Sequence, residues 1–289
     1  LVIPTILGAT TLLADGIITP PISVTSAIEG LKELPAMRGI ASNTIVFIVI
    51  GILAAIFFMQ QFGTASIGKL FGPIMFIWFT MLAILGLAHM GNEWSVFKAL
   101  NPYYGIKLLI TYPNGFWLLG AVFLCTTGAE ALYSDLGHCG RGNIRISWIY
   151  VKICLLLNYF GQGALLLSTH KGLLVNAANK AQFGINAFYD LMPQWFIIFG
   201  VIIATSAAII ASQAMISGSF TLISEALRLN LWPKMKVRYP SEERGQLFVP
   251  GINLILFLGC LGVVLYFRES SRMEAAYGLA IVVTMLTTT

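Results

Sequence analysis

Charged side chains are scarce in this sequence. Its 289 residues include 17 Lys and Arg and 12 Asp and Glu, so charged residues make up 10% of the chain against 57% hydrophobic residues. Soluble domains carry about 25% charged residues, and the mean hydropathy of this chain is +0.84. The composition therefore excludes an ordinary soluble domain and predicts a protein that lies in a lipid bilayer.

The sequence also lacks the patterns that mark several other functions. The net charge of +5 is spread over many loops without a polybasic run, so nucleic acid is not an expected partner. The four cysteines show neither a CxxC pair nor metal-ligand spacing, and we expect those in apolar stretches to be small buried hydrophobic residues. No histidine lies deep in an apolar run, so the sequence predicts neither an enzyme nor a bound cofactor.

Uncharged apolar runs long enough to cross a membrane recur along the chain. A spanning helix needs about 20 apolar residues, and six runs meet that length: 39–68, 70–92, 108–129, 153–170, 191–224 and 245–267. Two more spans are inferred at the ends, one around Asp15 and one that starts at Ala275. We expect an all-α membrane protein, a polytopic bundle of about eight helices forming one transmembrane domain over residues 1–289, because a barrel would show short alternating segments.

The ends and the loop charges carry less information. The sequence starts inside a predicted span without an initiator methionine or a basic flank, so we expect it to be the middle of a longer protein, truncated at both ends. Lys and Arg are evenly divided between the two sides of the predicted spans. The densest group lies in residues 228–244, and the positive-inside rule favours the cytoplasm for that side.

An aspartate interrupts the first apolar segment. Asp15 is the first charged residue of the chain, and the next is Glu29. A carboxylate near the bilayer centre costs roughly 2.5–3.5 kcal/mol, so such residues are usually functional. On a helix Asp15, Thr19 and Ser23 are spaced i, i+4 and i+8, which predicts one stripe of oxygen atoms.

A double proline, Pro20-Pro21, follows this aspartate. Neither proline has an N–H group, so the carbonyls of Gly16 and Ile17 lose their helical partners, and free carbonyls are tolerated in a membrane only where they line protein or a polar cavity. Carboxylate, hydroxyl and carbonyl oxygens are hard donors that suit an alkali cation. The alternative is a proline kink whose carbonyls are bridged by water, with Asp15 paired to a Lys or Arg of another helix.

A second acid, Glu130, interrupts another apolar run. It follows Thr-Thr-Gly, which continues a helix poorly, and Thr127 and Glu130 are spaced i, i+3 so that both can face one cavity. Broken helices at membrane depth are typical of ion and solute sites in secondary transporters, and a buried glutamate can carry a proton because burial favours its neutral form. The alternative is that Glu130 lies near the interface and pairs with Arg141 or Arg145.

Five longer motifs occur in order along the chain. They are DGIITPPISV at 15–24, TGAEALYSDLGH at 127–138, NYFGQGALLL at 158–167, ASQAMISG at 211–218 and AAYGLA at 275–280. In this order they resemble the third, sixth, seventh, eighth and tenth helices of the Kup/HAK/KT family of potassium uptake proteins.

The resemblance implies potassium:proton symport on the amino acid–polyamine–organocation fold, the LeuT-like arrangement of two inverted five-helix repeats, of which this chain would cover about helices three to ten. K+ and H+ would be transported rather than held as cofactors. The potassium ligands of the family would fall on five residues: Asp15, Thr19, Ser23, Thr127 and Glu130. The protein would be a multi-pass protein of the plasma membrane, in bacteria the inner membrane, in contact with lipid, and a homodimer through regions outside this chain is left open.

Two other transport classes were weighed against this interpretation. An amino-acid or organic-cation transporter of the same fold is the alternative, but an amino acid brings a carboxylate that fits poorly beside two acids. A channel would offer rings of carbonyls from symmetric copies, and no selectivity-filter motif such as TVGYG appears in the sequence.

Overall fold

The structure is a computed structural model that describes residues 2–37, 39–62, 65–91, 93–112, 119, 122, 124–126, 141–170, 186–240 and 247–288. The α-helices in these ranges are α1 (Val2–Glu29), α2 (Ser42–Met59), α3 (Ala65–Met90), α4 (Pro102–Thr111), α5 (Arg141–His170), α6 (Ala187–Asp190), α7 (Ile197–Arg228), α8 (Pro250–Phe267) and α9 (Ser270–Thr288). The described part of the chain contains no extended strand, only an isolated bridge between Arg238 and Phe248.

Six of the described helices are long and apolar enough to cross a membrane. They cover Leu7–Glu33, Ser42–Phe62, Gly68–Met90, Gly142–Thr169, Ile197–Arg228 and Pro250–Phe267. These segments coincide with the predicted span around Asp15 and with five of the six predicted runs, which confirms a polytopic helical membrane protein. The span predicted from Ala275 is also helical, as part of α9. Arg272 and Glu274 lie in the first turns of α9, and this helix is not among the six that are apolar enough to cross a membrane.

Several predicted boundaries differ from the helix ends, and two of the differences have a clear local reason. The run 108–129 does not begin a span at Leu108, because α4 continues to Thr111 and ends at an extended Tyr112 (φ −83°, ψ 125°). Residue 113 is a proline, and the residue before a proline is disfavoured in a helix. The predicted run 153–170 begins after the charged residue Lys152, yet Lys152 lies inside α5. Its ammonium group is 5.0 Å from the centre of the Trp148 ring.

Helix α1 lies at the centre of the described helices and packs against α2, α7, α8 and α9. Its apolar side chains Val24 and Ile28 join one buried cluster with Leu53 of α2, Phe220 of α7 and Leu256 of α8. A helix that contacts four others has little surface left for lipid, and this accounts for the burial of its polar residues.

The end of α1 is tied to the start of α9. The Glu29 carboxylate accepts a hydrogen bond from the backbone N–H of Ser270 at 3.2 Å and another from the Ser270 hydroxyl. A carboxylate at a helix N-terminus satisfies an otherwise free N–H and is stabilised by the helix dipole. The two helices therefore run antiparallel and share one end.

Helices α3 and α5 form a second close pair. A Cβ atom built on Gly86 would lie 2.2 Å from the carbonyl oxygen of Leu157, and one on Gly161 would lie 2.4 Å from the Cα of Gly86. Only glycine permits backbones to approach so closely. At the other end of the contact, the Tyr150 hydroxyl lies 2.7 Å from the hydroxyl of Thr80.

The outer surface of the described helices is apolar. Large hydrophobic side chains are exposed on every long helix, among them Phe47 at 74%, Ile146 at 72% and Tyr266 at 81%. Soluble monomers rarely expose apolar surface on this scale. The pattern is that of helices whose outer faces meet lipid tails.

We expect Gly86→Ala to destabilise the protein by at least about 1–3 kcal/mol, because the new methyl group would overlap the backbone of α5. Thermal unfolding of the purified protein in detergent measures this effect. Gly51→Ala in α2 is the matched control, since nothing lies within 4 Å of a Cβ atom at that position, and it should leave the unfolding temperature unchanged or slightly raise it. Equal behaviour of the two variants would contradict the close α3–α5 contact.

Candidate functional site

Asp15 and Thr19 form a buried polar pair on α1. The side chain of Asp15 is 0% exposed and that of Thr19 is 8% exposed. The Thr19 hydroxyl donates a hydrogen bond to Oδ1 of Asp15, with 2.5 Å between the two oxygens. The i, i+4 spacing thus brings the carboxylate and the hydroxyl together as the sequence predicted, and it does so in the interior of the helix bundle.

The double proline frees two carbonyls beside this pair, and α8 provides a donor for them. Helix α1 continues through Pro20 and Pro21, and the Cys260 thiol lies 3.3 Å from the carbonyl oxygen of Ile17 and 3.9 Å from that of Gly16. A thiol is a weak donor, but a free carbonyl inside a membrane protein is costly. Cys260 is buried in the main hydrophobic cluster, as predicted for a cysteine in an apolar run, and its thiol in addition donates to the backbone of α1.

Small side chains allow α7 and α8 to reach α1 at this level. A Cβ atom on Gly16 would lie 2.7 Å from the hydroxyl oxygen of Ser219, and one on Gly259 would lie 2.9 Å from Cγ2 of Ile17. Ser219 is buried and donates to the carbonyl of Met215, one turn earlier in α7. Next to the polar pair, α7 and α8 thus approach α1 closely, because at each contact a glycine faces the side chain of the other helix.

Helix α7 carries a second buried polar contact, in the ASQAMISG motif. The amide of Gln213 accepts a hydrogen bond from Nε2 of Gln60 at 2.5 Å, and both side chains are buried. Gln60 belongs to the 3-10 turn Gln60–Phe62 that extends α2. This pair connects two helices that both pack against α1, so the motif has a structural role.

Ser23 lies in a different environment from Asp15 and Thr19. It is half-buried and lines a cavity of about 460 Å³, together with Asn158 and Gln162 of α5. Neither Asp15 nor Thr19 is among the described residues that line this cavity. The predicted stripe of three oxygens therefore divides into a buried pair and a serine two turns away from Asp15 that faces open space.

The other two predicted site residues, Thr127 and Glu130, lie outside the described residues. Their assignment as cation or proton ligands stays a prediction, as does the alternative pairing of Glu130 with Arg141 or Arg145. Among the described residues there is no group of three or more His, Cys, Asp and Glu side chains that could hold a metal ion.

Cys260 is the residue that sequence reasoning missed. Each proline removes the hydrogen bond to the carbonyl four residues earlier, so the sequence identifies the carbonyls of Gly16 and Ile17 as needing a donor. It does not say which helix supplies that donor. A signal was present in the sequence, since Cys260 follows Gly259 in an apolar run and a small residue beside a weak donor suits a close helix crossing.

The whole sequence, residues 1–289, matches the family described as K+ potassium transporter integral membrane domain. The chain belongs to this family. Proteins named "Probable potassium transport system protein Kup" are similar to it: those of Cytophaga hutchinsonii and Flavobacterium psychrophilum are 60% identical over 298 and 290 residues, and that of Clostridium perfringens strain SM101 is 55% identical over 293 residues.

These K+ potassium transporter relatives are longer than the chain. The alignments cover 100% of this chain but 43% or 44% of each relative, so the chain spans less than half the length of the curated relatives it matches. Their names describe potassium transport rather than an enzymatic reaction. No solved structure matches the chain.

The contact of Cys260 with α1 leads to a test by substitution. Cys260→Ala should lower the free energy of unfolding by about 1–3 kcal/mol, because buried carbonyls lose their donor, whereas Cys260→Ser keeps a donor and should cost less. Thermal unfolding in detergent is the measurement. Cys154→Ala removes a buried sulfur from α5 and controls for lost volume; if all three variants lose the same stability, the thiol has no role as a donor.

Proposed function

We propose that this chain is the central part of a transporter that takes up potassium across the plasma membrane together with protons. The single observation that carries the proposal is the Asp15–Thr19 pair of α1, a carboxylate fully buried in a membrane-spanning helix of a K+ potassium transporter domain. A carboxylate inside a membrane is costly and is retained where it serves an ion pathway. K+ is the substrate in this proposal, and no resident metal is required.

The local chemistry suits a monovalent alkali cation. The carboxylate of Asp15 supplies one negative charge, and the Thr19 hydroxyl still has lone pairs while it donates to the carboxylate. Oxygen donors of this kind replace the water shell of a hard cation. In the proposed site Thr127 and Glu130 add further oxygens, and Ser23 lies on the same face of α1 towards the cavity.

The inverted-repeat fold is part of the proposal. By the order of the motifs α1 corresponds to the third helix and α7 to the eighth, which occupy equivalent positions in two five-helix repeats. Both are long, both lie in the centre of the described bundle, and they pack directly against each other. That central pairing supports a site placed between repeats near the middle of the membrane, as inverted-repeat transporters have it.

Coupling to protons follows from energetics. Each elementary charge that moves inward down the membrane potential yields about 2.3 kcal/mol per 100 mV, so co-transport of a second cation increases the potassium gradient that can be reached. Asp15 and Glu130 are the two candidate proton carriers. The names of the relatives give no support to an amino-acid substrate, and the bacterial relatives favour the inner membrane as the location.

The proposal predicts loss of rubidium uptake in two carboxylate variants. In potassium-starved cells that express a full-length version of the protein, Asp15→Asn and Glu130→Gln should each lower the uptake rate more than about tenfold, because a charged ligand contributes about 1.5–3 kcal/mol. Uptake by the wild type should rise as the external pH falls, since protons enter with the cation.

An exposed acid provides the control. Asp190→Asn makes the same chemical change in α6, where the side chain is exposed, and should leave uptake unchanged. Membrane levels of all variants are compared by immunoblot. Normal uptake by Asp15→Asn at normal expression would show that this aspartate is structural, and uptake that ignores external pH would remove the proton from the proposal.

A further inference from the structure

A cavity of about 460 Å³, whose mostly apolar wall includes several polar side chains, lies between α1, α3, α5 and α7, next to the short helix α6. Ser23 and Ser26 of α1 line it on one side, and Asn158 and Gln162 of α5 line it on another. The two amides are spaced i, i+4 and therefore lie on one face of α5. This space is large enough for a cation with several waters, whose share of liquid volume is about 30 Å³ each.

Asn158 makes this cavity unusual. Its side chain is 4% exposed, and its Oδ1 atom is buried without a hydrogen-bond partner among the described residues. A buried amide oxygen left in this state costs about 1–3 kcal/mol. Buried polar atoms normally have partners, so an orphaned oxygen on a residue that lines a cavity points to a ligand as its partner.

The backbone holds Asn158 in place. The close contact of α3 and α5 runs through Leu157, Asn158 and Gly161, since a Cβ atom on Gly86 would lie 2.2 Å from the carbonyl oxygen of Leu157 and 2.7 Å from the Cα of Asn158. Because the Cα of Asn158 lies at this contact, a shift of α5 cannot move the Asn158 side chain away from the cavity. Its position is thus pre-organised, which lowers the cost of binding a ligand.

Two other polar side chains at the cavity are already engaged. Oδ1 of Asn186 accepts a hydrogen bond from the N–H of Phe188 at 3.0 Å, and the hydroxyl of Tyr189 donates to the carbonyl of Ala27 at 2.9 Å. Burial, and secondly the nearby Glu29 carboxylate, raise the pKa of Tyr189 above its ordinary value, so this hydroxyl stays protonated. The oxygens left for a ligand are therefore those of α1 and α5.

No charged side chain is among the described residues that line the cavity. Neutral oxygens bind a monovalent cation more weakly than a carboxylate does, and ion pathways need sites that an ion can both enter and leave. Ser23 continues the helical stripe of Asp15, about 12 Å further along α1 at 1.5 Å per residue. The cavity thus lies next to the proposed potassium site, on the face of α1 that the same stripe follows.

We propose that this cavity is a second, weaker station for a partly hydrated monovalent cation, with Oδ1 of Asn158 as a ligand and Ser23 and Gln162 completing its oxygen lining. The proposal rests on the potassium transport proposed above, because it places the station on the path of the same ion. It differs from the Asp15 site in having neutral ligands and in keeping room for water.

Equilibrium binding of radioactive Rb⁺ to the purified full-length protein tests the station. Wild type should bind Rb⁺ at a tight and a weak site. Asn158→Ala should weaken the weak site about tenfold or remove it, in line with the strength of one oxygen contact to a charge, while Asn158→Asp, which keeps an oxygen, should bind there at least as tightly as wild type. Ser168→Ala changes a polar residue of α5 that does not line the cavity and should bind as wild type.

Thermal stability separates a ligand from a structural residue. Because Oδ1 of Asn158 has no partner to lose within the described structure, Asn158→Ala should unfold at the wild-type temperature or slightly above it. Unchanged Rb⁺ binding by Asn158→Ala would overturn the proposal and leave a cavity that holds water only. Weaker binding together with a clearly lower unfolding temperature would also overturn it, because the residue would then be structural.

The same experiment distinguishes this station from the function on which it rests. A wild-type protein that binds Rb⁺ at Asn158 but fails to take it up in cells would contradict the proposed transport and leave the station standing. Normal uptake with no effect of Asn158→Ala on binding would contradict the station alone. A wild-type protein that binds no Rb⁺ would contradict both.

Discussion

The constraint on which this structure depends is that a polar group inside a membrane must find its partner within the protein. The double proline of α1 removes two backbone hydrogen bonds, and the carboxylate of Asp15 lies just over one turn before the two prolines. These groups cannot face lipid, so α1 must be surrounded on all sides. The packing of four helices around α1, the small residues that let two of them approach and the thiol of Cys260 aimed at the carbonyls of Gly16 and Ile17 all follow from that requirement.

Much of the helical layout could be predicted because it depends on local properties. Apolar runs of spanning length located five of the six long helices, the apolar segment around Asp15 located the sixth, and the i, i+4 spacing placed Thr19 on Asp15. Helix ends were less accessible: the end of α4 was set by a proline at position 113, and the start of α5 was hidden by Lys152, whose charge ends an uncharged run without ending the helix. Charge is a guide to the membrane boundary and a poor guide to the helix boundary.

The contacts between helices could not be predicted in the same way. The sequence identified the carbonyls that needed a donor but not Cys260, which is 243 residues away from Ile17 along the chain. It placed Ser23 with Asp15, whereas the bundle directs Ser23 to a cavity shared with α5. The contact of Gly86 with Gly161 depends on how two helices cross, and single glycines in apolar runs are too common to signal it. Thr127 and Glu130 lie outside the described residues, so their part of the site rests on the sequence alone.

The hydrogen bonds between Glu29 and Ser270 have a mechanical consequence. They fasten the C-terminal end of α1 to the N-terminal end of α9, so a tilt of α1 against α9 would turn about this end as its pivot. Asp15 precedes Glu29 by 14 residues, a lever arm of about 21 Å at 1.5 Å per residue. A tilt of only about 5° around the pivot would displace the carboxylate by about 2 Å, enough to make or break its contact with an ion while the pivot itself stays closed.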